Sequence, residues 1–524
     1  MHIFNCFQNS ERAIPFQLIY GSKALMVVWL LSIVTGFCAC SDDDDTSGEV
    51  KVQTISDRLA AVRDYVPLYA VIAHRGSTYW APEETESAWR WAREMGADYL
   101  ESDLQCSKDG IIIANHDESL KRTTNIEEVF GADIPETRIQ FYESLGFTHD
   151  DATEQYQRDQ ASFQPYYMQS YYYAELLMLD AGKWFNKALP TQARKGFVAT
   201  RNGSFIGGNL RYSTGQYVSA LQDQIAYASG KMLRRGDDGE RVLPYHIKPE
   251  YQGMTLRQIW QVITSKKEYD DIYMDFLDYD FTDAYTADPQ DTGHRPGIYI
   301  EFKEPALNPG NMEQRVYDIL DHEGWNIITQ PAKETAFYVG GKVNVGRTSG
   351  KVILQTFSNE ALSRANAIFQ GRVPMCYLLW LNIPPQPEDF DLTTPKGFAQ
   401  AIKWAQDNGA HIMGPSIAGE PNNYSELNAP WQARLTRRSG MLNHPYSFDT
   451  QQQMANYVGT TAEDIPADGC FTNRSDLTLR YLIDKGFRGR SGLPDPFHPG
   501  KTYDNSQAPQ TVPDAVQTLE RLGY

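Results

Sequence analysis

A (β/α)8 barrel with a long insertion is the fold class this sequence predicts, and three observations carry it. Eight apolar, β-branched or aromatic runs recur along the chain, at 70–75, 97–103, 298–303, 351–357, 375–381, 410–415, 444–448 and 469–472. Segments of helical period lie between several of them, for example Ala88, Trp91, Ala92 and Met95, and Met312, Val316, Ile319 and Leu320. Strands alternating with helices build a parallel sheet, and eight repeats close it into a barrel. Finally, the chemistry-bearing residues of these runs gather at one end. His74, Arg75, Glu101, Asp103, Glu301, Lys303 and Gln355 all fall at or near the C-terminal ends of predicted strands, where barrels of this kind place their active sites.

The first run, Val71-Ile72-Ala73, ends in His74-Arg75-Gly76. The second carries Glu101 and Asp103 on alternate positions, so both side chains face the same way. Seven residues separate Asp103 from Ile111, too few for a parallel crossover, and Asp109-Gly110 is a strong hairpin-turn signal. The 111–116 run is therefore a ninth strand, outside the barrel wall. Counting back from its turn puts His116 opposite Asp103, give or take one residue. In the third run Glu301 and Lys303 share a face, while Glu304 turns to the other. The 444–448 run is the weakest of the eight because of Pro445.

About two hundred residues separate the second and third barrel strands, far beyond an ordinary connection. Roughly 125 to 253 reads as an insertion on the active-site face, rich in tyrosine (Tyr166, Tyr167, Tyr171, Tyr172, Tyr173), either a substrate-covering cap or a packed subdomain. The barrel domain spans 61–490, and the Pro-rich stretch 491–524, without visible periodicity, is expected to be a surface tail.

At 41% hydrophobic and 22% charged, the composition is that of an ordinary globular protein. A net charge of -19 argues against nucleic acid as a partner, which clustered Lys and Arg would bind. Residues 24–39 form an apolar run after Lys23, shorter than the roughly 20 residues a spanning helix needs. A cleaved signal over 1–39 is the better reading. Because the run closes on a cysteine, it resembles a bacterial lipoprotein signal with Cys40 as the lipidated residue, followed by an acidic tether over 40–60. The expectation is an exported protein of the periplasm, outer membrane or cell surface, held to the membrane through that anchor. The run Asp42 to Asp45 is either a surface-export signal or a solvated spacer. Of six cysteines, Cys106, Cys376 and Cys470 would remain unmodified, spaced singly, which disfavours a disulfide framework or a cysteine–zinc site.

Several motifs together resemble the glycerophosphodiester phosphodiesterase family. They are His74-Arg75-Gly76, Pro82-Glu83-Glu84-Thr85, Gly96-Ala97-Asp98-Tyr99-Leu100-Glu101-Ser102-Asp103, Lys108-Asp109-Gly110, His116-Asp117 and Arg122-Thr123-Thr124. Further along, Leu179 to Phe185, Tyr299 to Lys303, Leu354 to Phe357 and Asp468 to Thr472 continue the likeness to about residue 487. Two departures stand out: Glu84 where the family has Asn, and Asn473 with Ser475 where it has Asp and Pro. The resemblance implies that Glu101, Asp103 and Glu301 hold one divalent cation. Their hard oxygen ligands suit Ca2+ or Mg2+. It implies His74 and His116 as an acid/base pair in unassigned order, with Arg75 and Lys303 on the phosphate. Glu83 and Gln355 are candidate substrate contacts, Glu83 either on the glycerol hydroxyls or orienting Arg75. The implied reaction hydrolyses a glycerophosphodiester to glycerol 3-phosphate and an alcohol. Two alternatives are a phospholipase-like phosphodiesterase acting on intact lipid, and a non-catalytic surface lipoprotein that binds glycans or nutrients through the tyrosine-rich insertion.

Overall fold

A computed structural model describes residues 50–524, apart from 145, 207–208, 213–214, 248, 252–253, 255–257, 259–276, 304–307, 309–310, 382–389 and 460–466. The expected signal, Cys40 and residues 41–49 of the tether lie outside the described residues, as does Glu304. Among the described residues, no helix is long and apolar enough to cross a membrane.

Eight short strands run parallel in one sheet: β1 (Ala70–Ala73), β2 (Tyr99–Cys106), then, after the hairpin strand β3 (Ile112–Ala114), β4 (Gly297–Phe302), β5 (Val352–Thr356), β6 (Met375–Leu379), β7 (Ile412–Pro415), β8 (Leu442–Asn443) and β9 (Gly469–Thr472). The order is β8-β7-β6-β5-β4-β2-β1-β9. Closure between β8 and β9 is irregular, through a parallel bridge of Phe448 with Thr472 and the Asp468 N–H on the Asn443 carbonyl at 2.8 Å. Pro445 lies in this stretch, and its missing N–H explains why the regular ladder of β8 is only two residues long.

Around the barrel lie α1 (Glu86–Met95), α2 (Leu221–Ala228), α3 (Met312–His322), α4 (Asn359–Ile368), α5 (Pro395–Asp407), α6 (Pro430–Arg438), α7 (Gln451–Tyr457) and α8 (Ser475–Asp484). Their starts follow from sequence: Thr85, Ser358, Thr394 and Thr450 accept a hydrogen bond from an N–H of the first turn, and Pro395 and Pro430 open their helices. Apolar strand faces pack outward on these helices, while Tyr99, Tyr299, Ile353, Cys376 and Phe471 fill the interior.

Two expectations are corrected. The interval 125–253 is not all insertion. Its α2 belongs to the helical ring, where Gln224 accepts from the Ser102 hydroxyl at 2.9 Å and donates to the Leu100 carbonyl at 2.9 Å. Nor is 491–524 a surface tail throughout: it ends in α9 (Ala515–Leu522), whose Leu519 and Leu522 are buried. Trp91 donates to the Ala515 carbonyl at 2.9 Å, and Arg90 to the Tyr524 hydroxyl at 2.8 Å. Val516, Leu519 and Leu522 do carry helical spacing, over too short a stretch to stand out beside the prolines.

Candidate active site

The site is built at the C-terminal ends of β1, β2 and β4. After β1 the chain turns sharply: Arg75 takes a left-handed conformation (φ 50°) and Gly76 follows at φ 85°. A Cβ on Gly76 would meet the Ala88 Cβ at 2.5 Å, so only glycine lets α1 approach this turn. The turn aims His74 and Arg75 into the mouth and points the Arg75 N–H at Glu101 Oε2, 2.7 Å away.

Strand pairing sets Glu301 beside Asp103 on one side and beside Gln355 on the other. Glu101, Asp103 and Glu301 are all buried, and one carboxylate oxygen from each lies within 4.8 Å of the others. Like charges so close in a dry place resist ionisation. Burial, then the neighbouring Asp103, pushes the Glu101 carboxyl well above its ordinary range, and burial raises Glu301 to about 8. Asp103 goes the other way: burial opposes its charge, but Lys303 and Arg75 outweigh it. Arg75 Nε stands 2.9 Å from Asp103 Oδ2, and Lys303 Nζ stands 3.0 Å from Glu301 and 3.6 Å from Asp103. Three converging hard-oxygen donors, two of them charge-frustrated, fit a divalent cation such as Ca2+ or Mg2+.

Both histidines reach this mouth. His74 Nδ1 is 2.7 Å from Asn473 Oδ1, and burial with the adjacent Arg75 charge pulls its imidazole down to about 3. His116 Nδ1 is 2.5 Å from Asp117 Oδ1, and burial followed by Arg75 and Lys303 brings its ring to about 4. The hairpin register pairs Leu104 with Ala114, and the Asn115 N–H donates to the Asp103 carbonyl at 2.9 Å. Asn115 therefore sits opposite Asp103, with His116 one residue beyond, inside the expected margin.

Glu83 and Gln355 turn toward protein partners. Arg122 donates two bonds to Glu83, at 2.8 and 2.7 Å, and Arg75 lies 3.5 Å from it. Burial opposes ionisation there, yet Arg122 and Arg75 hold the carboxyl at about 2. Gln355 donates to Glu101 Oε1 at 2.8 Å and so orients a carboxylate. The unusual Glu84 sits at φ 55° and accepts the Asp103 N–H at 2.6 Å, a left-handed position that Asn tolerates better.

Arg122, Asp117, Asn473 and Asp449 escaped the sequence reading as site residues. Arg122 forks between Glu83 and Asp117, donating to Asp117 Oδ2 at 2.6 Å. Its place behind His116-Asp117 was the one available signal. Asp449 follows β8 and meets His74 only through Asn473, a juxtaposition no local pattern announces. The tyrosines of the insertion are mostly structural. Tyr171, Tyr172 and Tyr173 are buried, and the Arg138 guanidinium packs over Tyr172 at 4.8 Å. Cys106, Cys376 and Cys470 are free and buried, as small core side chains.

A model of the glycerophosphoryl diester phosphodiesterase family matches residues 74–228, which include His74, Glu101, Asp103 and His116. The chain is 23% identical over 416 residues to a glycerophosphodiester phosphodiesterase of Bacillus subtilis, covering 79% of this chain and 86% of that protein. It is 29% identical over 172 residues to the mouse glycerophosphoinositol inositolphosphodiesterase GDPD2, covering 33% of this chain and 25% of that protein. Among solved structures it is similar to an Oleispira antarctica phosphodiesterase in complex with the product sn-glycerol-3-phosphate. There the TM-score is 0.40 at 13% identity, over 79% of this chain and 97% of that one. Residues 74–228 thus resemble the glycerophosphoryl diester phosphodiesterase family, and the likeness to the Bacillus relative extends over most of the chain.

Proposed function

We propose that this chain is a divalent-metal-dependent enzyme that hydrolyses glycerophosphodiesters to glycerol 3-phosphate and an alcohol, with His74 and His116 moving the protons. The observation that carries this reading is the convergence of Glu101, Asp103 and Glu301 within 4.8 Å, beside two imidazoles and the cations Arg75 and Lys303. The three carboxylates would hold Ca2+ or Mg2+, which when bound neutralises phosphate charge and acidifies a glycerol hydroxyl.

The protein groups supply the rest. Arg75 offers a planar fork to phosphate oxygens and Lys303 a point charge. One histidine accepts the proton of the glycerol hydroxyl as its oxygen bonds to phosphorus. The bond from phosphorus to the head-group oxygen breaks, and that oxygen takes a proton from the other histidine. Water then opens the cyclic phosphate with the two roles exchanged, and glycerol 3-phosphate leaves. Each proton transfer is worth about 10²–10⁴-fold in rate. Burial of Tyr171, Tyr172 and Tyr173 weighs against the glycan-binding alternative, which needs exposed aromatic surface.

The test is turnover of glycerophosphocholine, -ethanolamine, -glycerol and -inositol with Ca2+, Mg2+ or chelator. Hydrolysis of at least one, lost with chelator, is expected. Cleavage of intact phospholipid alone would replace this reading with the phospholipase-like one. Export and anchoring through Cys40 belong to the same proposal. Metabolic labelling with a palmitate analogue should mark the wild type and leave Cys40→Ser unlabelled.

A further inference from the structure

The two imidazoles are held by chemically different partners. His116 Nδ1 faces a carboxylate, Asp117. His74 Nδ1 faces an amide, Asn473 Oδ1, at 2.7 Å. Asn473 in turn donates its Nδ2 to Asp449 Oδ1 at 2.9 Å, and Asn422 donates to Asp449 Oδ2 at 2.8 Å. A carboxylate only accepts, so the direction of this row is set from its far end. Asp449 takes the amide N–H of Asn473, which turns the amide oxygen to the ring. The ring can then meet it only with an Nδ1–H, leaving a lone pair on His74 Nε2.

We propose that Asn473 and Asp449 are positioning residues that lock His74 in the Nδ1–H tautomer. His74 thereby offers its Nε2 lone pair for the proton transfer in which it takes part. That catalytic use rests on the diesterase reading; the tautomer does not. The amide oxygen accepts the Nδ1–H whether the ring is neutral or charged, so the row fixes the orientation and tautomer of His74 without placing a carboxylate directly on Nδ1. The charged groups facing the His74 ring are Arg75 on its own turn, Asp103 from β2 and His116 from the hairpin end.

Nitrogen-15 NMR of the full chain labelled at histidine, with the His74 signals assigned by their loss in His74→Gln, reads the tautomer without substrate or metal. A pyridine-type Nε2 at neutral pH is expected; a pyridine-type Nδ1 would overturn the tautomer proposal alone. Asn473→Asp, nearly isosteric, places a carboxylate directly on Nδ1 and raises the His74 pKa. The limb of kcat/KM that His74 sets should move up by about one pH unit; an unmoved profile in an active variant would overturn it. Asn473→Leu should lower kcat about 10- to 100-fold with KM little changed. A wild type that turns over no glycerophosphodiester would overturn the functional reading, while the nitrogen-15 result still decides the tautomer.

Discussion

The two ends of this barrel bury charge in opposite ways. At the N-terminal end, Asp98 pairs with Arg488 and Asp468 with Arg437, one anion to one cation. Asp98 also accepts the Val71 N–H at 2.7 Å, and Asp468 the Asn443 N–H at 3.0 Å, tying neighbouring strands together. At the C-terminal end, Glu101, Asp103 and Glu301 crowd around Arg75 and Lys303, and part of their charge stays unanswered. Matched burial welds the scaffold. Unmatched burial keeps a place for something positive. Histidines follow the same division: His411 and His444 are buried among the strands, each with an Nε2 lacking a partner among the described residues, whereas His74 and His116 face the mouth.

The sharpest way to break this contrast is to remove the chemistry without touching the weld. His116→Ala should lower kcat/KM by about 10²–10⁴-fold with an unchanged melting temperature. Steady-state kinetics beside a thermal melt checks both halves, and full activity would sink the functional reading. The reciprocal change is Asp98→Ala, which strands Arg488 in the core. It should cost about 3–5 kcal/mol of stability, read from denaturant unfolding, while the folded fraction keeps its specific activity.

A third measurement exposes the frustration at the mouth. Folding raises the Glu301 carboxyl from its ordinary 4.5 to about 8, so its contribution is fully present below pH 4.5 and is lost as pH climbs through 8. With metal chelated, the wild type should melt at lower temperature at pH 8 than at pH 5. Glu301→Gln should flatten that slope, and added Ca2+ or Mg2+ should lift the pH 8 value of the wild type only. An identical slope in both proteins would show that the carboxylate cluster stores no such tension. The smallest expected effect lies far from the mouth, where Asp514 caps α9 by accepting the Gln517 N–H at 2.8 Å. Asp514→Ala should cost about 0.5–2 kcal/mol and leave turnover untouched.

Much of the site was legible because it is local. The β2–β3 hairpin brings Asp103 and His116 together by pairing alone, and strand alternation puts Glu101 and Asp103 on one face. Lys303 and Glu301 could be placed together for the same reason. The two errors of extent, α2 inside the presumed insertion and α9 inside the presumed tail, concern short helices. Their apolar stripes are seen as core-facing only once the ring they complete is known.

By itself the amino-acid sequence determined the eight strand runs, the turn at His74-Arg75-Gly76 and the identity of the carboxylates and imidazoles. Such features are decided by side-chain alternation, turn chemistry and residue type, which act over a few positions. Tertiary structure alone decided that Glu301 stands beside Asp103 across nearly two hundred residues. It also decided that Asn473 and Asp449 stand behind His74, and that Arg122 ties Glu83 to Asp117. Closing the barrel sets which strand ends meet, and no local propensity encodes a distance between groups that far apart along the chain.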